Sequence, residues 1–113
     1  MHELALARSV VEIALEEARK AGARRVRRIR LDIGELSCVE AEAIEFCFFA
    51  VTAGTAAEGA ALEIARPEGA GWCADCSRTI VLHERFAPCP DCGGGRVRMT
   101  SGDELRIRDM EVE

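Results

Sequence analysis

The chain has 113 residues, room for one modest core and a small metal-stabilised unit but not for a large enzyme. Hydrophobic residues make up 49% and charged residues 31%, the profile of a soluble folded protein, although Tyr is absent and only four Phe and one Trp occur. Fifteen basic against twenty acidic residues give a formal charge of -5, which argues against broad binding to a phosphate backbone.

From about Glu3 to Lys20, Leu4, Ala7, Val11, Ala14 and Ala18 recur at three- and four-residue steps, with Leu6, Val10 and Leu15 widening the stripe. The spacing predicts an amphipathic helix stopped by Gly22. The period then changes: Ile29, Leu31 and Ile33 alternate with Arg28, Arg30 and Asp32, a strand over Val26 to Ile33 with one wet face. Ser37 and Glu40 have capping-box spacing ahead of a second helix, about Val39 to Ala53. That helix would bury Ala43, Ile44, Cys47, Phe48 and Val51, with Phe46 and Phe49 broadening its apolar surface over a sheet. A second strand is expected over about Ala60 to Arg66, and Pro67 to Gly71 reads as a linker. A cysteine-rich unit follows from Trp72 to Met99, then a last strand from about Glu104 to Glu111, whose apolar parity changes near Asp109.

These elements predict an α+β fold: a three-stranded mixed sheet with two helices on one face and an inserted four-cysteine, zinc-ribbon-like lobe. The lobe is expected to return the last strand beside the second. Residues 1–66 and 103–113 then form a discontinuous α/β domain around a lobe of residues 69–100. No run of about twenty apolar residues occurs, and the start lacks the basic head and apolar core of a secretion signal. The expectation is a cytoplasmic protein that touches no membrane.

Cys73-Ala74-Asp75-Cys76 and Cys89-Pro90-Asp91-Cys92 have two residues inside each pair and twelve between the pairs, enough for a hairpin that closes four sulfurs into a tetrahedron. Four thiolates fill the shell of a structural Zn(II) and leave no catalytic position. Mononuclear iron takes the same ligands and stays open; a disulfide pair or a redox dithiol fits the pattern less well. Cys38 and Cys47 lie outside the cluster and read as small packing residues.

At the chain start, periodicity alone makes His2 a solvated residue just outside the first helix. Its chemistry offers more. The Met1 amine, the His2 imidazole and the backbone amides of His2 and Glu3 can chelate one ion through closely spaced nitrogens, a set that suits planar Ni(II) or Cu(II). The Glu3 carboxylate either orients such a site or makes the usual favourable contact with a helix N-terminus.

Taken together, the chain resembles the HypA/HybF family of hydrogenase nickel-incorporation proteins over essentially its full length. The residues that carry the resemblance are Met1-His2-Glu3, Gly22, Val26, Leu31, Ile33-Gly34-Glu35-Leu36-Ser37, Glu58 with Ala61, the two cysteine pairs with Gly93, Gly102-Asp103-Glu104-Leu105 and Met110-Glu111-Val112-Glu113. The resemblance implies a metallochaperone that delivers Ni(II) for maturation of nickel-iron hydrogenase. Nickel then falls to Met1, His2 and Glu3, and zinc to Cys73, Cys76, Cys89 and Cys92. Implied partners are a nickel-handling GTPase and the hydrogenase large subunit, with urease maturation factors serving some relatives. Some relatives bring a further histidine toward nickel; here only His83 is available, beside Glu84 and Arg85, and it reads as a surface or lobe-packing residue.

Two other functional classes fit the sequence less well. A zinc-ribbon adaptor for nucleic acid or a protein partner would draw on Arg24, Arg25, Arg27, Arg28 and Arg30, but strand alternation scatters them over two faces. An enzyme is disfavoured, since two histidines and no Gly-rich phosphate loop leave no catalytic constellation.

Overall fold

In the computed structural model, which describes His2 to Glu113, the first helical stripe folds as α1 (Glu3–Lys20). Its buried face is Glu3, Ala7, Val10, Val11, Ala14 and Ala18. Glu3 rather than Leu4 holds the first position of that face, because steps of four, three, four and four residues lead back to it; Leu4 is 50% exposed. Gly22, at φ +71°, closes the helix. Its N–H bonds the Arg19 carbonyl at 3.0 Å and the Ala23 N–H bonds that of Ala18 at 2.9 Å, the two-bond stop that a left-handed glycine permits.

The chain next forms β1 (Val26–Ile33), α2 (Ala41–Thr52), β2 (Ala61–Ala65), β3 (Gly69–Cys73), β4 (Arg78–Leu82), β5 (Val97–Ser101) and β6 (Leu105–Val112). The strands make two three-stranded sheets, ordered β2-β1-β6 and β4-β3-β5. The last strand therefore lies beside the first and not, as expected, beside the second. The charges on the strands match that order. Arg28 and Arg30 on the wet face of β1 take carboxylates from both neighbours: Arg28 bonds Glu63 of β2, and Arg30 reaches Glu63 at 3.2 Å, Asp109 of β6 at 2.9 Å and Glu111 of β6 at 3.2 Å. Only a central β1 lets the arginines bond on both sides.

Two compact units result. The first comprises the chain up to Leu31, Val39–Ile64 and Arg106–Glu113; the second comprises Asp32–Cys38 and Ala65–Leu105. In the first, α1 and α2 pack together, and Val10, Val11, Ala14, Ile29, Leu31, Ile44 and Phe48 are buried. The α2 start corrects one expectation. The helix begins at Ala41 with Glu40 as its N-cap and no side-chain cap, so Ser37 stands too far upstream and donates to the Gly34 carbonyl at 2.8 Å instead. A second correction concerns Phe46 and Phe49, which are 81% and 84% exposed. Ile44, Phe48 and Thr52 define the buried side of α2 at four-residue steps, and offsets of two and five from Ile44 turn both rings away from it.

The second unit holds a core of Leu36, Cys73, Ile80, Leu82 and Cys89. Segment 32–38, assigned from sequence to the α/β part, supplies Leu36 to it; the Leu36 N–H bonds the Gly102 carbonyl at 2.7 Å. The supposed linker is also structured. Gly69, Ala70 and Gly71 open the central strand β3, antiparallel to β4 and β5. A Cβ on Gly69 would collide with the Leu36 side chain and stand 2.5 Å from the Leu82 carbonyl oxygen, so the glycines mark close packing and not slack. No described helix is long and apolar enough to cross a membrane.

Candidate metal centres

Cys73 ends β3, and Cys76 follows it in a tight turn in which the Ser77 N–H bonds the Cys73 carbonyl at 2.8 Å and Ser77 adopts φ +53°. The second pair repeats the device: the Gly93 N–H bonds the Cys89 carbonyl at 2.8 Å, with Gly93 at φ +73°. In each turn an amide faces sulfur, Cys76 N–H to Cys73 Sγ and Gly94 N–H to Cys92 Sγ, both at 3.4 Å. A side chain at position 94 would stand 2.6 Å from Asp75 Oδ2 and 3.3 Å from Cys92 Sγ, so glycine is what lets this amide approach.

The four sulfurs lie within 4.8 Å of one another, with Cys73 to Cys92 at 3.7 Å and Cys76 to Cys89 at 3.9 Å. A tetrahedron with Zn–S bonds of about 2.3 Å has edges of about 3.8 Å, so the cluster fits a structural zinc site. Cys73 and Cys89 are buried, Cys76 is half-buried and Cys92 is exposed. The protons are unevenly held. Amide N–H groups of Cys92 and Asp91 bring the Cys89 thiol down to about 7, while Cys92, burial and the remaining sulfurs push Cys76 up to about 12. A cation entering the shell would displace those protons.

Sequence reasoning did not find the charges that brace the two turns. Asp75, inside the first pair, accepts from Arg96 at 2.6 and 3.1 Å, and Asp91, inside the second, accepts from Arg78. Each arginine flanks a strand or begins one, so each turn is tied to the β-hairpin framework. The available signal was the Asp in the same position of both pairs.

Of the residues read as nickel ligands, Met1 lies outside the described residues. His2 is exposed and is the N-cap of α1, its carbonyl accepting the Leu6 N–H at 2.9 Å. Glu3 is buried, and its carboxylate accepts the Glu40 N–H at 3.2 Å. That amide is the largest influence drawing the Glu3 carboxyl below its ordinary range. The structure thus brings the four cysteines together and leaves His2 open, while the Glu3 side chain faces the start of α2. His83 is exposed, with Nδ1 2.9 Å from Glu35 Oε1, and the carboxylate raises its pKa. Cys47 is half-buried in α2, but Cys38 is exposed and not the packing residue expected, because it precedes the helix instead of lying on its covered side.

Residues 1–112 match the family described as "Hydrogenase/urease nickel incorporation, metallochaperone, hypA". The chain is 58% identical to the hydrogenase maturation factor HypA of Rhizobium leguminosarum bv. viciae over 112 residues, covering 99% of each chain. It is 57% identical to the factor of the same name from Methylocella silvestris over 113 residues, with all of both chains covered. The solution structure of the Ni metallochaperone HypA from Helicobacter pylori superposes with a TM-score of 0.71 at 25% identity, covering 99% of this chain and 97% of that one. This chain belongs to the HypA family of hydrogenase/urease nickel-incorporation metallochaperones.

Proposed function

We propose that the protein carries Ni(II) for maturation of nickel-iron hydrogenase, holding it at Met1, His2 and Glu3 as transferable cargo, with Zn(II) at Cys73, Cys76, Cys89 and Cys92 as a permanent structural ion. The observation that carries the reading is the exposed His2 at the N-cap of α1, apart in sequence from a cysteine cluster whose four sulfurs close on one another. Amides at the start of a helix have no partner in its ladder, so the backbone nitrogens of His2 and Glu3 are available without cost to the helix. Together with the Met1 amine and the His2 imidazole they suit a flat Ni(II) shell. Glu3 contributes its backbone nitrogen in this assignment, and its carboxylate anchors the helix start through the Glu40 amide.

Binding displaces protons from the amine and amides, so nickel affinity rises with pH, and protonation or a competing ligand from a docked partner releases the ion. The unit that contains the chain start is then the nickel-carrying part, and the unit of Asp32–Cys38 and Ala65–Leu105 the zinc part. A nickel-handling GTPase and the hydrogenase large subunit are the partners this role calls for, with urease maturation factors as a second client, all in the cytoplasm. The protein acts as a carrier and not as an enzyme, since four thiolates complete the zinc shell. A nucleic-acid adaptor is the weaker reading: Arg25, Arg27, Arg28 and Arg30 are matched by Glu63, Asp109, Glu111 and Glu113 of the same unit.

Calorimetric titration of the untagged, zinc-loaded chain with Ni(II) tests the assignment. His2→Ala should weaken binding by at least roughly tenfold, the lower range for removing a mere hydrogen-bond partner of a metal ligand. Unchanged stoichiometry and affinity in that variant contradict it.

A further inference from the structure

β6 is an edge strand: β1 lies on one side of it, and among the described residues no strand lies on the other. Its sequence is Leu-Arg-Ile-Arg-Asp-Met-Glu-Val. The first half alternates apolar and cationic residues, and the second alternates anionic and apolar ones. Laid antiparallel on a second copy about an axis between Arg108 and Asp109, these two residues stand opposite each other. Ile107 then meets Met110, Arg106 meets Glu111, and Leu105 meets Val112. A slip of one residue destroys the match, placing either Arg108 against Arg108 or Asp109 against Asp109 and setting Ile107 against a carboxylate.

A regular strand cannot use that register. Opposite residues of an antiparallel pair turn their backbone groups either both toward each other or both away, whereas an axis between two residues matches odd positions with even ones. Ile107, Met110 and Val112 line one groove, and the burial alternation of β6 shifts between Arg108 and Asp109. At one end the Glu104 carbonyl accepts the Gly34 N–H at 2.7 Å, and at the other Glu113 and Arg25 exchange bonds of 3.0 and 3.1 Å. Alternation inward from both ends leaves Leu105, Ile107, Met110 and Val112 with outward backbone groups and turns both Arg108 and Asp109 toward β1. Burial follows the same phase: Ile107 and Met110 are half-buried, and the two residues between them are both exposed. Outward positions therefore meet outward positions across the axis.

Beside this edge, Ile13, Glu17, Ala21, Ile107, Met110 and Val112 line an open, mostly apolar groove of about 470 Å³, in which Ile13 is 54% exposed. We propose that β6 is a self-pairing edge, through which two copies of this chain join their β2-β1-β6 sheets into one continuous antiparallel sheet. Self-complementarity is the property an isologous two-fold contact requires, whereas an unrelated extended segment would match this charge order only by coincidence. Asp109 and Glu111 also hold Arg30, and Arg106 and Arg108 have interactions of their own, so the charges select the register more than they supply affinity. Backbone bonds and the covered apolar groove supply the rest. Neither metal assignment enters this argument.

Sedimentation velocity of the untagged, zinc-loaded chain over about 1–300 µM should show a reversible dimer. Arg106→Glu sets like charges opposite each other twice in the symmetric pair and should weaken the dimer about tenfold. Adding Glu111→Arg to that variant should restore affinity to within about threefold. Because Glu111 also serves Arg28 and Arg30 of its own chain, Met110→Pro gives a second reading: it removes an outward N–H and should abolish the dimer while zinc content and thermal midpoint hold. A wild-type chain monomeric throughout the range overturns the proposal, including one that associates only with a different protein. A dimer indifferent to both Arg106→Glu and Met110→Pro also overturns it, since it then uses another surface.

Discussion

In the cysteine lobe every ligand sits on a turn that the chain fixes twice, once by a backbone bond across the turn and once by an Asp–Arg pair to a neighbouring strand. At the start of α1, by contrast, the one described imidazole stands exposed, and the structure fixes the residue after it, Glu3, through the Glu40 amide. On the proposed zinc assignment, the first arrangement retains its ion because release would leave thiolates facing one another, with Cys73 and Cys89 in the lobe's core. On the proposed nickel assignment, the second gives up its ion because the exposed His2 imidazole can be exchanged without disturbing the core. Retention and transfer thus follow from how much of the fold depends on each donor.

The largest test of that contrast is Cys89→Ser. It removes a buried sulfur of the four-cysteine cluster, so zinc affinity should fall by more than the roughly ten- to hundredfold typical of losing a ligand's hydrogen-bond partner. Metal analysis should find substoichiometric zinc, and amide exchange should show loss of protection across β3, β4 and β5. Equal zinc content would break the comparison.

A smaller effect is expected from Gly69→Ala, which forces a methyl group against Leu36 and the Leu82 carbonyl and should cost about 1–3 kcal/mol by denaturant unfolding, with the four cysteines unaltered. A neutral result would mean that the strand entering the cysteine site is looser than its packing indicates.

The smallest effect concerns His83. Glu35 raises its folded pKa above the ordinary value, so its contribution to stability is complete below about 6.5, the unfolded value, and is lost as pH rises through the higher folded value. His83→Gln should flatten that part of the stability profile and leave nickel binding unchanged. Loss of nickel affinity in this variant would add a ligand from the lobe and erase the separation between the two donor sets.

The features legible in the sequence were those with a strict local period or spacing. The stripe of α1, the alternation of Ile29, Leu31 and Ile33, and the paired cysteines each state their geometry within a few residues. The parity change near Asp109 was visible in the same way, as Ile107 and Met110 lie on one side of β6 despite an odd separation. Long-range placement was not legible. Strand order brings to Arg28 and Arg30 carboxylates from two strands, one about 35 residues and the other about 80 residues away. Gly69-Ala70-Gly71 has a linker's composition, and only the arrival of Leu36 and Leu82 makes it a strand where a Cβ does not fit. Ser37 and Glu40 carried capping spacing, but Gly34 claimed the Ser37 hydroxyl and the helix began beyond it. Hydrophobicity alone points Phe46 and Phe49 toward a sheet, whereas the phase of Ile44 and Phe48 decides which side of α2 is covered.

Nickel-edge X-ray absorption of the untagged, zinc-loaded chain with one equivalent of Ni(II) tests the central claim most directly. The account predicts a planar shell of nitrogen donors, with zinc still bound to four sulfurs. Nickel found among the thiolates, with the His2 imidazole free, would contradict it.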